Sequence, residues 1–128
     1  MTENGPILIV DDDPLVREVL AAAAEDAGFP VLLLAADDRQ AVTAMETTPN
    51  LAGLITDIDL RSPRDGCAVA DLARAARPDL SVIYVSGADT ALWEDRGVAG
   101  SVMIQKPFAP LHVFAVLRNM LQRAAPRG

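Results

Sequence analysis

Two acidic clusters dominate the polar residues of this chain, Asp11-Asp12-Asp13 and Asp57-Ile58-Asp59. Each begins where a short apolar run stops. Ser86 closes another such run, and Lys106 a further one. Carboxylates held close together repel one another, which raises their pKa values unless a cation is present. Hard oxygen ligands with room left for water and phosphate are what Mg²⁺ prefers. With a metal offsetting the charge, one carboxylate can stay ionised and attack a phosphorus atom. Phosphoryl transfer then needs mainly positioning and charge stabilisation of the equatorial oxygens. Mg²⁺, the Lys106 ammonium and the Ser86 hydroxyl would share that work. The nucleophile is already an anion, so no general base is required.

The elements that must hold these residues follow from the apolar pattern. Compact runs at Pro6 to Val10, Val31 to Ala35, Leu51 to Thr56, Leu80 to Val85 and Ser101 to Gln105 alternate with amphipathic stretches. Pro14 suits the first turn of a helix that ends at Gly28. Asp13 is the expected cap of that helix. Its spacing puts Leu15, Val16, Val19, Leu20 and Ala23 on one side. A second helix, capped by Asp37 or Asp38, is expected to run to about Thr47. A third carries Val69, Leu72, Ala73 and Ala76 before Pro78. A short fourth covers Thr90 to Arg96. The last, from about Pro110 to Arg123, places Leu111, Phe114, Leu117 and Leu121 on one face.

Five strands, each followed by a helix, describe an α/β domain with a parallel sheet. Continuous apolar runs, rather than alternation, suit strands covered on both faces. Asp11 and Asp12 then end strand one, Asp57 strand three, Ser86 strand four and Lys106 strand five. In open parallel sheets ligands bind outside the carboxyl ends of the strands, where strand order reverses. The scattered polar residues thus converge on one crevice.

Composition sets the remaining bounds. The 128 residues suffice for one domain, and 51% are hydrophobic, enough for a core without disulfides. The organisation read from the pattern is an N-terminal tail over 1–5, one domain over 6–123 and a tail over 124–128. Cys67 is the only cysteine, which excludes an intramolecular disulfide and suits a reducing compartment. No signal peptide or spanning segment is evident, so a cytoplasmic location without membrane attachment is expected. Net charge is −7, from 18 acidic and 11 basic residues, a balance that argues against binding nucleic acid.

The motifs in their order resemble those of the receiver domain of bacterial two-component response regulators, over roughly Pro6 to Leu121. The residues that carry the likeness are Ile7 to Pro14, Thr56-Asp57-Ile58-Asp59-Leu60, Asp65-Gly66, Val85-Ser86-Gly87 and Lys106-Pro107-Phe108. The resemblance implies a flavodoxin-like (βα)5 doubly wound fold with strand order 2-1-3-4-5. It makes Asp57 the phosphoacceptor, fed by a histidine kinase or histidine phosphotransfer protein. Asp12 and Asp57 would bind Mg²⁺ directly, Asp11 largely through water, and Asp59 by its backbone carbonyl. Ser86 would move to the phosphoryl group on activation, Lys106 would contact it, and Gly87 and a cis Lys106-Pro107 bond would support the site. Such a domain accepts and loses phosphate without being a turnover enzyme. The chain is expected to be free-standing, a monomer or weak homodimer, and to act through a downstream protein.

Departures from the family pattern accompany the likeness. The Asp57 to Gly66 loop carries one residue more than usual, and Pro63 sits later than the family's proline. Met103 stands where an aromatic switch residue is common. Ser86 replaces the commoner threonine but keeps the hydroxyl. A degenerate receiver acting as a phosphorylation-independent binding module, through Trp93 and the last helix, is one alternative. A phosphatase of the haloacid dehalogenase type is another, since both acidic clusters fit its Asp-x-Asp spacing. His112 is expected on a solvated face and Cys67 as a small buried residue.

Overall fold

A computed structural model of the chain describes residues 5–29, 32–87 and 91–124. Five strands and five helices alternate. The strands are β1 (Ile7–Val10), β2 (Leu32–Ala35), β3 (Gly53–Asp57), β4 (Ser81–Ser86) and β5 (Val102–Gln105). The helices are α1 (Pro14–Asp26), α2 (Asp38–Thr47), α3 (Gly66–Ala76), α4 (Ala91–Arg96) and α5 (Pro110–Ala124). All strand pairs are parallel, in the order β2-β1-β3-β4-β5. Order reverses between β1 and β3, and that pair stands at the centre of the sheet.

The central strands β1, β3 and β4 are mostly apolar and fully buried because both faces are covered, whereas the edge strands β2 and β5 are partly exposed. Leu8, Val10, Leu54, Val82 and Tyr84 pack with Ala41 of α2 and with Val69, Ala70 and Ala73 of α3. The alternate residues Ile7, Ile9, Ile55, Ile83 and Val85 pack with Leu20, Ala23 and Ala24 of α1 and with Val113, Phe114 and Leu117 of α5. Full burial of one such aliphatic side chain contributes about 1.5–3 kcal/mol. The positions of the strand ends are therefore fixed by a large apolar core, and the charges at those ends need contribute nothing to it.

Local signals behave as the sequence suggests at most ends. Asp13 caps α1, its side chain accepting the Leu15 N–H at 2.9 Å, and Pro14 occupies the first turn. Gly28 ends the helix with φ of 87°, a left-handed conformation suited to glycine. Of the two candidate caps for α2, Asp37 is the one used, accepting from Gln40 N at 2.9 Å, while Asp38 is the first helical residue. Val31 and Thr90, expected to begin an element each, lie outside the described residues.

Several helix faces differ from the spacing argument. Leu15 is 65% exposed and Leu111 56%, and Val19 and Leu72 also face solvent. Ala76 is exposed too. Val16 and Leu20 of α1 and Val113, Phe114 and Leu117 of α5 face the core instead, so the buried arc of each helix is narrower than its apolar one. Among the described residues no helix is long and apolar enough to cross a membrane.

Candidate functional site

The carboxyl edge of β1, β3, β4 and β5 opens into one crevice. It is lined by Asp11, Asp12, Asp57, Ser86 and Lys106, with Asp13, Pro14, Asp59, Arg61 and Gly87 around them. Asp11 is fully buried and continues the ladder from β1, its N–H donating to Ala35 O at 3.1 Å. Its Oδ1 accepts the Asp13 N–H at 2.9 Å, which fixes the turn into α1. Asp12 is half-buried. Asp57 is the last residue of β3 and only 7% exposed. Its Oδ1 accepts the Asp59 N–H at 3.2 Å.

Lys106 enters from the loop after β5. Its backbone N–H donates to Ser86 O at 2.8 Å, tying it to the end of β4. Its ammonium lies 3.2 Å from Asp57 Oδ2 and 3.4 Å from Asp11 Oδ2. Burial pushes the Asp57 carboxyl above the usual range; Lys106 opposes this and the Asp11 charge adds to it. Burial alone would lower the Lys106 ammonium, but Asp57 and Asp11 outweigh it and raise it. Burial thus dominates at Asp57, whereas at Lys106 the two neighbouring carboxylates together outweigh it.

That residual negative charge bears on metal binding. Asp11, Asp12 and Asp57 each offer a carboxylate oxygen, and these oxygens lie within 4.8 Å of one another. Two buried carboxylates and a half-buried one, with one ammonium between the buried pair, are a donor set for a hard divalent cation such as Mg²⁺. The Asp59 side chain stands outside that trio and is exposed, although the residue lines the crevice.

The supporting residues have distinct places. Gly87 follows β4, and a side chain there would rest against the Lys106 stem, 3.8 Å away. The Lys106-Pro107 peptide is cis. Met103 does not line the crevice; it packs half-buried against the α2–α3 side of the core, as Trp93 also does. Trp93 donates Nε1–H to Ser101 Oγ at 3.0 Å and so is held by its own domain. Cys67 is fully buried and His112 exposed.

The loop with the extra residue is anchored in two ways that the sequence pattern does not announce. Arg64 Nε donates to Asp38 Oδ2 at 2.9 Å, joining the loop to the start of α2 across 26 residues. Gly66 N–H donates to Ile58 O at 2.8 Å. A Cβ at Gly66 would fall 2.0 Å from the Asp57 carbonyl oxygen, so the loop can approach the acceptor strand only with glycine there. Arg61, in the same loop, also reaches the crevice: its Nε is 3.8 Å from Asp12 Oδ2. The available signal was Asp59 two residues earlier, whose Oδ1 accepts the Arg61 N–H at 3.3 Å.

Comparison with known proteins gives a consistent picture. The family model for the response regulator receiver domain matches residues 7–118. The transcriptional regulatory protein FixJ of Bradyrhizobium diazoefficiens is 29% identical, over 98% of this chain and 61% of its own length. The DNA-binding response regulator MtrA of Mycolicibacterium smegmatis is 35% identical, over 95% of this chain and 53% of its own. The chain thus spans about half to three fifths of these relatives. A response regulator receiver protein from Sinorhizobium medicae superposes with a TM-score of 0.89 at 27% identity, covering 96% of this chain and 98% of that one. A CheY-like receiver domain protein from Methanospirillum hungatei superposes with a TM-score of 0.82, covering 95% and 97%, and at 22% identity it supports the fold alone.

Proposed function

The chain belongs to the response regulator receiver domain family of two-component signalling, and from that premise we propose that Asp57 is its phosphoacceptor. The observation that carries this reading is the place of Asp57: buried at the end of β3, within the carboxylate trio, and 3.2 Å from the Lys106 ammonium. Asp57 attacks the phosphorus of a phosphohistidine on a histidine kinase or histidine phosphotransfer protein. A P–O bond to the carboxylate forms as the P–N bond breaks, and the imidazole leaves with the electron pair.

Asp11, Asp12 and Asp57 would hold Mg²⁺, with the Asp59 carbonyl as a further ligand; when bound, the ion neutralises charge on the transferred group. The chain's own residues do the rest. The core holds Asp57 at a fixed height, Lys106 offers a cation beside the acceptor oxygen, and Ser86 presents a hydroxyl from the neighbouring strand end. Placing these groups before reaction is where such catalysis gains most of its rate. The Lys106 backbone N–H donates to Ser86 O, so the two loops that carry these groups are tied together at their base. The protein then acts as a cytoplasmic relay with a downstream protein target, and not as a turnover enzyme.

Intact mass after incubation with acetyl phosphate and Mg²⁺ tests this, beside an Asp57→Asn control. A Mg²⁺-dependent gain of one phosphoryl group, absent from the control, is expected. No adduct and no phosphate release would point instead to a binding module that works without phosphorylation. Steady phosphate release would point to a phosphatase.

A further inference from the structure

We propose that Arg61 is the cation that admits the anionic phosphodonor to the crevice, a role that rests on Asp57 being the acceptor. Among the described residues, two basic side chains line the crevice, Lys106 and Arg61. They are placed very differently. Lys106 lies at the back, half-buried, within 3.4 Å of both Asp11 and Asp57. Arg61 stands at the mouth with its side chain 82% exposed.

The guanidinium is engaged only loosely. Its Nε is 3.8 Å from Asp12 Oδ2, too long for a firm hydrogen bond, and the Asp12 side chain is itself 32% exposed. An exposed pair of this kind is weakly held. The side chain can leave Asp12 for a better anion. The backbone, in contrast, is set in a defined turn. Arg61 has φ of 53°, a left-handed conformation uncommon for any residue but glycine. Its N–H is fixed to Asp59 Oδ1, and Asp59 N–H to Asp57 Oδ1. The arginine is thus mounted on a turn that starts at the acceptor itself.

A cation is needed at this point for an electrostatic reason. The protein carries a net charge of −7, and five aspartates line the crevice, Asp13 and Asp59 beside the clustered trio. A doubly charged phosphodonor approaching that mouth is repelled, and even with a divalent ion bound the rim remains acidic. A guanidinium matches phosphate oxygens in a bidentate way that an ammonium does not. Charges at a cleft entrance change encounter rates by factors of 10 or more. Arg61 would act on entry and alignment of the donor, leaving bond making to Asp57: its oxygen joins phosphorus as the bond from phosphorus to the acetyl oxygen breaks, and acetate departs.

Phosphorylation rates at low donor concentration, read by intact mass with saturating Mg²⁺, test this. The donors are acetyl phosphate and the less negative phosphoramidate. Arg61→Ala is expected to slow reaction with acetyl phosphate about tenfold, and with phosphoramidate clearly less. The deficit should shrink in high salt, where exposed charges are screened. Arg61→Lys should recover part of the rate. Arg61→Gly, which relieves the backbone but removes the charge, should behave like Arg61→Ala. The inference is overturned if all three variants match the natural chain, or if glycine restores the rate and lysine does not. If the natural chain takes up no phosphoryl group from either donor, the reading of Asp57 fails and this one with it.

Discussion

The Lys106 ammonium lies 3.2 Å from Asp57 Oδ2, although 49 residues separate the two in the chain. The same ammonium also serves Asp11, so neither buried carboxylate has a cation to itself. Burial, with Asp11 adding to it and Lys106 opposing, leaves the folded-state pKa of Asp57 above its unfolded value of about 3.9. A raised carboxyl pKa means that the folded state binds protons more readily than the unfolded state. Stability is thus lost as pH rises through that window, and the deficit persists above it. Asp57→Asn is expected to raise the thermal midpoint by a few degrees at neutral pH. The gain should fade as pH falls toward the unfolded value. A variant that is less stable than the natural chain at neutral pH would contradict this account of the site's charge.

Metal binding should act on the same deficit from the other side. A cation that binds only the folded chain stabilises it by about 2.7 kcal/mol at one hundred times its dissociation constant. Mg²⁺ is therefore expected to raise the thermal midpoint of the natural chain in a saturable manner. Asp12→Asn and Asp57→Asn should each flatten that response, while Asp79→Asn, an exposed acid far from the crevice, should leave it intact. Equal responses in all of them would mean that the ion acts by general screening.

Much of this arrangement is legible in the sequence. Strands covered on both faces must be apolar throughout, and a polar residue that ends such a run is pushed to the sheet edge. That logic places Asp11, Asp57, Ser86 and Lys106 correctly from sequence. The exact faces of the helices were less legible. Spacing groups Leu15 and Val19 with Leu20, yet both are exposed while Val16 and Leu20 face the core, because periodicity reports an apolar stripe and not how much of its width is covered. Two loop residues escaped altogether. Arg64 and Asp38 are 26 residues apart and meet only in the folded chain. Arg61 reaches the crevice through a turn whose left-handed backbone no glycine advertises.

The Arg64–Asp38 pair gives the opposite pH dependence from Asp57. The Arg64 guanidinium bonded to Asp38 holds its carboxyl below the usual range; burial opposes this, and the Arg64 backbone N–H adds to the lowering. A depressed pKa contributes stability that is present above the unfolded value and lost as pH falls through the folded one. Arg64→Ala strands a buried carboxylate, so it should be clearly less stable than the natural chain at neutral pH. The gap should narrow below about pH 4, as Asp38 takes up a proton. Urea unfolding at a series of pH values would read this directly, and a pH-independent gap would assign the loss to packing instead.

Asp65 divides its carboxylate between two tasks, and substitution can separate them. Oδ1 accepts the Ala68 N–H at 2.9 Å and caps α3, whereas Oδ2 accepts from Arg96 Nη1 at 2.9 Å and ties α4 to the loop beside Asp57. Losing an N-cap costs about 0.5–2 kcal/mol. An exposed ion pair contributes less than about 1 kcal/mol. Asp65→Ala should therefore cost more stability than Arg96→Ala. Asp65→Asn should resemble Arg96→Ala, because asparagine caps as well as aspartate but brings no charge. Hydrogen exchange separates the effects further: protection in α4 should fall in all three variants, whereas the first turn of α3 should loosen only in Asp65→Ala. If Arg96→Ala loosens α3 to the same degree, the cap itself depends on the ion pair, and the two helices respond as one unit.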